Sequence, residues 1–316
     1  MTGHDLVTLG EVLLRLSVPA PGRLEITRTL DVQIGGAEAN VAATCARLGL
    51  RTAFISALPA NAWGERVRRE LSGHGVDCRH VRMREQARLG LYFLEYGAAP
   101  RPIRVLYDRG DSAFARLGAD EVDWEPVRRA RLVHLSGITP ALSERCRGLL
   151  ERALDEAPVM SFDVNYRAKL WTPEAARAVM LGVLPRVRYL FVGADEARTI
   201  FGLAGDAEEL LAGLARLAPK ATVTLMQGEA GSMVLDGART LRPMPRHTVQ
   251  VVDPIGAGDA YVAGFLWSVL RDRPLQEAVN VAATVAALKC SLWGDIALID
   301  PADVDDALGG GGAVRR

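Results

Sequence analysis

The chain has 316 residues, enough for one large α/β domain or for one domain with a small appendage. Its 49% hydrophobic and 24% charged composition is that of an ordinary globular protein, and 38 basic residues balance 38 acidic ones. That balance removes the electrostatic basis for binding nucleic acid or an anionic membrane surface. The four scattered cysteines (Cys45, Cys78, Cys146, Cys290) have no CxxC or metal-ligand spacing and read as reduced, mostly buried thiols.

The N-terminal "MTGHDLVTLGEVLLRL" places His4 and Asp5 before its apolar run and Glu11 inside it, the reverse of a signal peptide, and "LVTLGEVLL" opens as a strand. Residues 13–33 alternate apolar and polar with Pro/Gly turns, which predicts a hairpin. "AEANVAATCARLGL" then has the helical spacing Val41, Ala42, Cys45, Ala46, Leu48 and stops at Gly49. "RTAFISAL" is the next strand, and "GERVRRELSGHG" the next helix, closed at Gly73 and Gly75. Residues 88–110 predict a second hairpin, turning at Gly97–Pro102. Apolar runs follow at "RLVHLSG", "VMSFDVN", "YLFVGA", "TVTLMQG" and "TVQVVD", most of them separated by helix-sized segments.

This alternation predicts an α/β fold: a doubly wound, mostly parallel sheet with helices on both faces, forming a single domain over residues 1–308. The two hairpins either pair into a small sheet standing off the domain as a lid or are plain edge hairpins. The most apolar window, "NVAATVAALKCSLW", is too short to span a membrane and contains Lys289, so a soluble cytoplasmic protein is expected. The tail 309–316, "GGGGAVRR", is expected to be a flexible end.

The segment "VVDPIGAGDAYVAGFLWSVL" joins the run "TVQVVD", read as a strand, to a helix beginning near Asp259. Pro254 fixes the turn, Gly256 and Gly258 permit positive φ around Ala257, and the helix N-terminus offers backbone N–H groups to an anion. The residues alone leave two readings, a tight connection capped by Asp259 or a phosphate cradle. A carboxylate repels a phosphate held permanently beside it, so an acid in a cradle points to transfer: Asp259 would take a proton from an attacking hydroxyl while the 256–259 N–H groups hold developing charge. In "QIGGAEANVAATCARLG", Gly35 and Gly36 let backbone approach a polyol and Asn40 can bond its hydroxyls, unless Asn40 merely caps a helix. "MSFDVNYRAKLW" puts Asp163, Asn165 and Arg167 at a strand's C-terminal edge, where α/β proteins bind ligands. The second hairpin carries Tyr92, Tyr107 and Arg109. Arg109 and Arg167 together suit a carboxylate; taken singly, each arginine reads as a surface salt bridge and each tyrosine as sheet packing.

"VVDPIGAGDAYVAG" and "QIGGAEANVAATCARLG", more than 200 residues apart, resemble the two signatures of the PfkB (ribokinase-like) carbohydrate kinases. The resemblance covers nearly the whole chain, with the hairpins where the family has its β lid, and implies phosphoryl transfer from ATP with Mg²⁺. It implies that Gly228 and Gly231 of "TVTLMQGEAGSMVLDG" lie beneath the nucleotide along with Gly256 and Gly258, although a simple hairpin turn would look the same. Asn280 matches a helix position near the adenine, or is a satisfied core polar group. Glu196 matches the acid of the family's NxxE region and would organise Mg²⁺ through water; Gly193 stands where Asn is usual.

The strings "GEVLLRL", "GGAEANVA", "GLYFLEY", "HLSGITPALS", "DVNYRAKLW" and "DPIGAGDA" are together similar to the 2-keto-3-deoxygluconate kinases of that family. That similarity implies that Tyr92, Tyr107, Arg109 and Arg167 line a sugar-acid pocket with Asp259 as base. The expected reaction passes the γ-phosphoryl of ATP to the terminal hydroxyl of 2-dehydro-3-deoxy-D-gluconate, giving the 6-phosphate. "GEVLLRL" lacks the Asp that ribokinases carry after the first strand, which counts against ribose. The alternatives are a kinase for a neutral sugar such as fructose or ribose, and a non-catalytic sugar- or nucleotide-binding regulator. A monovalent cation requirement stays open, because Pro254–Ile255 replaces the Thr-Thr of cation-activated members. A homodimer or higher homo-oligomer is expected from exposed lid edges.

Overall fold

The computed structural model describes residues 3–19, 21–97, 100–244 and 247–309. The expected tail beyond Gly309 and residues 98–99 of the expected Gly97–Pro102 turn lie outside the described residues.

Among the described residues thirteen strands form two sheets: β1 (Leu6–Leu9), β2 (Leu13–Ser17), β3 (Asp31–Gly35), β4 (Thr52–Pro59), β5 (Val81–Arg84), β6 (Leu91–Glu95), β7 (Arg104–Asp108), β8 (Leu132–Ser136), β9 (Met160–Asp163), β10 (Tyr189–Gly193), β11 (Thr222–Met226), β12 (Ser232–Asp236) and β13 (Arg239–Leu241). The nine-stranded sheet runs β13-β12-β11-β10-β9-β8-β1-β4-β5. Its pairings from β5 through β11 are parallel; β12 and β13 close the edge antiparallel. β1, β4, β8 and β9 are buried at every position, as strands covered by helices on both faces must be. Strand order reverses on either side of β1, so the crevice beyond the C-terminal ends of β1, β8 and β9 is the switch point.

The chain leaves the main sheet at Gly10–Val12 and starts a second sheet, β3-β2-β6-β7. β2 pairs antiparallel with β3 and parallel with β6, and Tyr92 on β6 faces Tyr107 on β7 in register. The two predicted hairpins therefore do join into one small sheet.

The helices are α1 (Ala37–Arg47), α2 (Ala62–Gly73), α3 (Glu125–Arg129), α4 (Ile138–Leu142), α5 (Glu144–Glu156), α6 (Pro173–Val183), α7 (Ala194–Phe201), α8 (Ala207–Leu217), α9 (Ala257–Leu270), α10 (Leu275–Cys290) and α11 (Pro301–Leu308). Several start at sequence-readable caps: Asn61 accepts from the N–H groups of Trp63 and Gly64, and Asp206 from those of Glu208 and Glu209. α9 is apolar almost all round and is enclosed by α1, α10 and the sheet, with Trp267 and Phe265 fully buried.

One expected strand does not form. "TVQVVD" (248–253) is irregular, and α9 begins at Ala257, slightly before Asp259. The N–H groups of Val252 and Asp253 bond the Cys290 carbonyl at the end of α10 instead of a neighbouring strand. The buried Asp253 side chain then draws the segment inward, a tertiary demand that overrides the β-propensity of the valines.

Candidate active site

A cavity of about 530 Å³ lies between the C-terminal ends of the central strands and the small sheet. It brings together Gly35, Gly36, Asn40, Tyr92, Tyr107 and Arg109 from the first 110 residues of the chain. From the rest come Asp163, Arg167, Glu196 and the 256–259 turn. The small sheet is thus a wall of the site and not a detached edge.

The acid at its base is Asp259, in the first turn of α9. Its carboxylate accepts from Asn40 Nδ2 at 2.7 Å, so the amide nitrogen at the head of α1 orients it while the amide oxygen accepts from the N–H of the N-cap Gly36 at 3.3 Å. Burial pushes the Asp259 pKa up to about 7; the Asn40 bond and the Arg167 charge pull the other way, while Asp295 and Glu38 add to the rise. A carboxyl poised near neutrality suits proton transfer.

Gly256 precedes α9 with φ 85°, and a Cβ there would sit 2.1 Å from the Asp295 carbonyl oxygen. Only glycine meets both the left-handed backbone and the close approach. Ala257 N–H closes a turn on Pro254 O at 3.2 Å. The N–H groups of Gly258 and Asp259 belong to the first helical turn, which has no intrahelical acceptors, and are the ones open to an anion.

The two arginines differ in what already holds them. Arg109 is buried; its Nε donates to Glu11 Oε2 at 2.8 Å, a second nitrogen bonds the same carboxylate, and the guanidinium lies 5.5 Å from the Tyr107 ring centroid. Its charge is therefore neutralised from within, by an acid the sequence shows only as a polar residue in an apolar run. Arg167 donates to the Tyr166 carbonyl at 3.3 Å and, among the described residues, forms no salt bridge. It is the cation available to an anionic ligand. Tyr92 O–H donates to Asp295 Oδ2 at 2.6 Å, and its ring lies 5.8 Å from that of Tyr107.

Asp163 and Glu196 close the far side. Asp163 is buried, accepts from Asn165 Nδ2 at 3.1 Å through one oxygen, and leaves Oδ1 unpartnered. Burial, then the Glu196 and Asp259 charges, raise its pKa well above the usual carboxylate range. Asn165 holds φ at 40°, which turns the chain back into the site. Glu196 accepts from Tyr166 N–H at 2.6 Å and from Gly193 N–H at 2.7 Å, so it is an enclosed group of the α7 cap and not a solvated helix face. No cluster of three or more metal-ligating side chains occurs among the described residues. The orphaned Asp163 Oδ1 and the adjacent Glu196 fit Mg²⁺ held mainly by water and phosphate oxygens.

Gly228 and Gly231, with φ of 58° and 93°, form the turn between β11 and β12 and have open space around their α-carbons. Met226, at the end of β11, reaches the cavity. Asn280 lies outside the cavity wall: its amide oxygen accepts from Met244 N–H and Gln276 Nε2, both at 2.9 Å. Glu11, Glu38 and Asp295 also line the cavity, and nothing in their local sequence marks them as site residues. Glu38 is held by Ser136 and Thr139, and burial raises its pKa.

A family model described as "pfkB family carbohydrate kinase" matches residues 4–301. A Haloferax volcanii protein named 2-dehydro-3-deoxygalactonokinase is 40% identical over 313 residues, covering 98% of each chain. A Thermoproteus tenax protein named 2-dehydro-3-deoxygluconokinase is 32% identical, covering 96% of this chain and 94% of the relative. The crystal structure of a 2-dehydro-3-deoxygluconokinase from Thermotoga maritima aligns with a TM-score of 0.92 at 33% identity, covering 96% of this chain and 99% of that one. An Escherichia coli ribokinase-type structure at 19% identity, with a TM-score of 0.89, shares the ribokinase-like fold alone.

Proposed function

The chain belongs to the pfkB family of carbohydrate kinases, and from that premise we propose that it phosphorylates the terminal hydroxyl of 2-dehydro-3-deoxy-D-gluconate with the γ-phosphoryl of ATP, giving the 6-phosphate. The observation that carries this reading is one cavity holding both a carboxylate tuned to about 7, Asp259, and a cation without an ion-pair partner, Arg167. A sugar acid supplies a partner to each: its hydroxyl to Asp259 and its carboxylate to Arg167. A neutral sugar would leave Arg167 only the charges of Asp163, Glu196 and Asp259 around it, with no ligand anion to bond.

In the reaction the substrate hydroxyl lies against Asp259, which takes its proton as the oxygen attacks phosphorus. Asn40 keeps one Asp259 oxygen turned toward the hydroxyl. The Gly258 and Asp259 N–H groups, at the positive end of α9, stabilise the transferring phosphoryl oxygens. Mg²⁺ supplies charge neutralisation at the nucleotide phosphates, and Asp163 and Glu196 would hold its water shell. Tyr92 and Tyr107 wall the sugar, and Arg109, already paired with Glu11, offers directed N–H donors without net charge. The small sheet keeps water from the phosphoryl group. Arg167 fixes the far end of the substrate and so determines which hydroxyl reaches phosphorus.

Arg167→Ala is expected to raise KM for the acid about 10- to 100-fold with a smaller change in kcat. Steady-state kinetics check this, and an unchanged KM overturns the carboxylate anchor. The galactonate-derived epimer is the second reading, favoured by the name of the 40% identical relative. Parallel kcat/KM measurements on the two epimers decide between them.

A further inference from the structure

We propose that Arg15 and Lys289 are built-in cations that fix the 253–258 loop, so that this kinase needs no dissolved monovalent cation. The proposal rests on reading the 256–259 turn as the anion hole and goes beyond it, since neither side chain lies on the cavity wall. Both are fully buried, and both converge on Asp253, the residue that leads into the loop.

Arg15, on β2, donates from Nη2 to Asp253 Oδ2 and from Nη1 to Asp295 Oδ1, each at 2.5 Å, and from Nε to Ser17 at 2.8 Å. It also bonds the Tyr96 hydroxyl, which itself donates to Asp253 Oδ2 at 2.7 Å. Lys289, at the end of α10, donates from Nζ to the backbone carbonyls of Asp253 at 2.8 Å and Leu292 at 3.3 Å. Asp253 in turn accepts Ile255 N–H at 3.0 Å and Gly294 N–H at 3.1 Å. The Asp295 carbonyl abuts Gly256. The loop, the 292–295 segment and the lid strands β2 and β6 are therefore pinned to one another through two positive charges.

The same geometry leaves no place for a dissolved ion on Asp253. Both its carboxylate oxygens and its carbonyl already have donors, and an added cation would meet two buried like charges. Burial alone would lower the Arg15 pKa, but the charges of Asp295 and Asp253 outweigh it and the value is raised. Arg15 and Lys289 are positioning residues: they touch no substrate and act by holding the N–H groups of the loop in place.

The first test measures wild-type kcat in potassium chloride and in choline chloride at equal ionic strength. Equal rates, within about twofold, are expected; activation of about tenfold by potassium overturns the proposal. In choline, Lys289→Ala is expected to lose about 10- to 100-fold in kcat with a smaller change in KM, and to recover at least about fivefold with ammonium or potassium ions. Arg15→Ala is expected to recover similarly with millimolar guanidinium, which would only weaken a variant damaged in folding. Wild-type kcat in both variants, or a folded variant that neither ion rescues, overturns the proposal. Gly256→Ala, which forces the turn itself to shift, assayed alongside separates the two claims. If it turns over normally, the anion-hole reading has failed; if it is inactive while both cation variants are normal, only the built-in cations have.

Discussion

In the proposed mechanism Asp259, Asn40 and Arg167, distant in sequence, act as one acid–base device. The hydrogen bond of Asp259 to Asn40 spans 219 positions, and the Arg167 charge holds the Asp259 pKa down. Asp259→Asn should lower kcat by about 10²- to 10⁴-fold while ATP and the sugar acid still bind; near-normal turnover would remove the base. Because the Asp259 pKa is near 7, kcat/KM of the parent should rise with pH and reach half its plateau near pH 7. Arg167 lowers that pKa, so Arg167→Met should move the acid limb to higher pH. A limb that stays in place, or moves down, would contradict the coupling.

The same group sets a stability term. An acid whose folded pKa lies above its ordinary 3.8 favours the fold when neutral, and that contribution is lost as pH rises from about 4 through 7. Asp259→Asn should therefore be more stable than the parent at pH 8, by up to about 4 kcal/mol, and match it below about pH 4. Thermal denaturation at both pH values checks this. The proposed roles of Asp259 and Gly256 can be read from the chemistry of their turn, whereas those of Asn40 and Arg167 come from the resemblance of their motifs to the family's. Glu11 and Asp295 can be read in neither way, since their meaning lies in Arg109 and Arg15, which are 98 and 280 positions away.

Among the elements, α9 and the turn that begins it carry the proposed chemistry, and the turn depends on a backbone only glycine adopts there. Gly256→Ala would need φ 85° and would push a methyl to 2.1 Å from the Asp295 carbonyl. The loop must shift, so kcat should fall about 100-fold or more, with a smaller effect on KM for the sugar acid. A Gly256→Ala enzyme within threefold of the parent would show that the turn need not be held in this conformation. Helices and parallel strands follow from periodicity and caps, which act over neighbouring residues. "TVQVVD" departs from that rule because Asp253 is committed to Arg15 and Lys289. That pull comes from the folded core and leaves no local trace.

For the whole molecule, the α/β architecture follows from alternating strands and helices, and the small sheet from the two places where that alternation fails. Its function as a wall follows only once β2 and β6 pair and set Tyr92 and Arg109 on the cavity. No helix among the described residues is long and apolar enough to cross a membrane. The sugar-acid assignment depends on one arginine in a cavity whose other charged groups are mostly acids. Glu11 cancels Arg109, which leaves Arg167 to receive a carboxylate. ATP consumption with 2-dehydro-3-deoxy-D-gluconate, its galactonate-derived epimer and fructose at equal concentrations tests this most directly. At least one of the two acids should exceed fructose in kcat/KM by about 100-fold or more; fructose turned over as well as both acids, or better, would contradict the account.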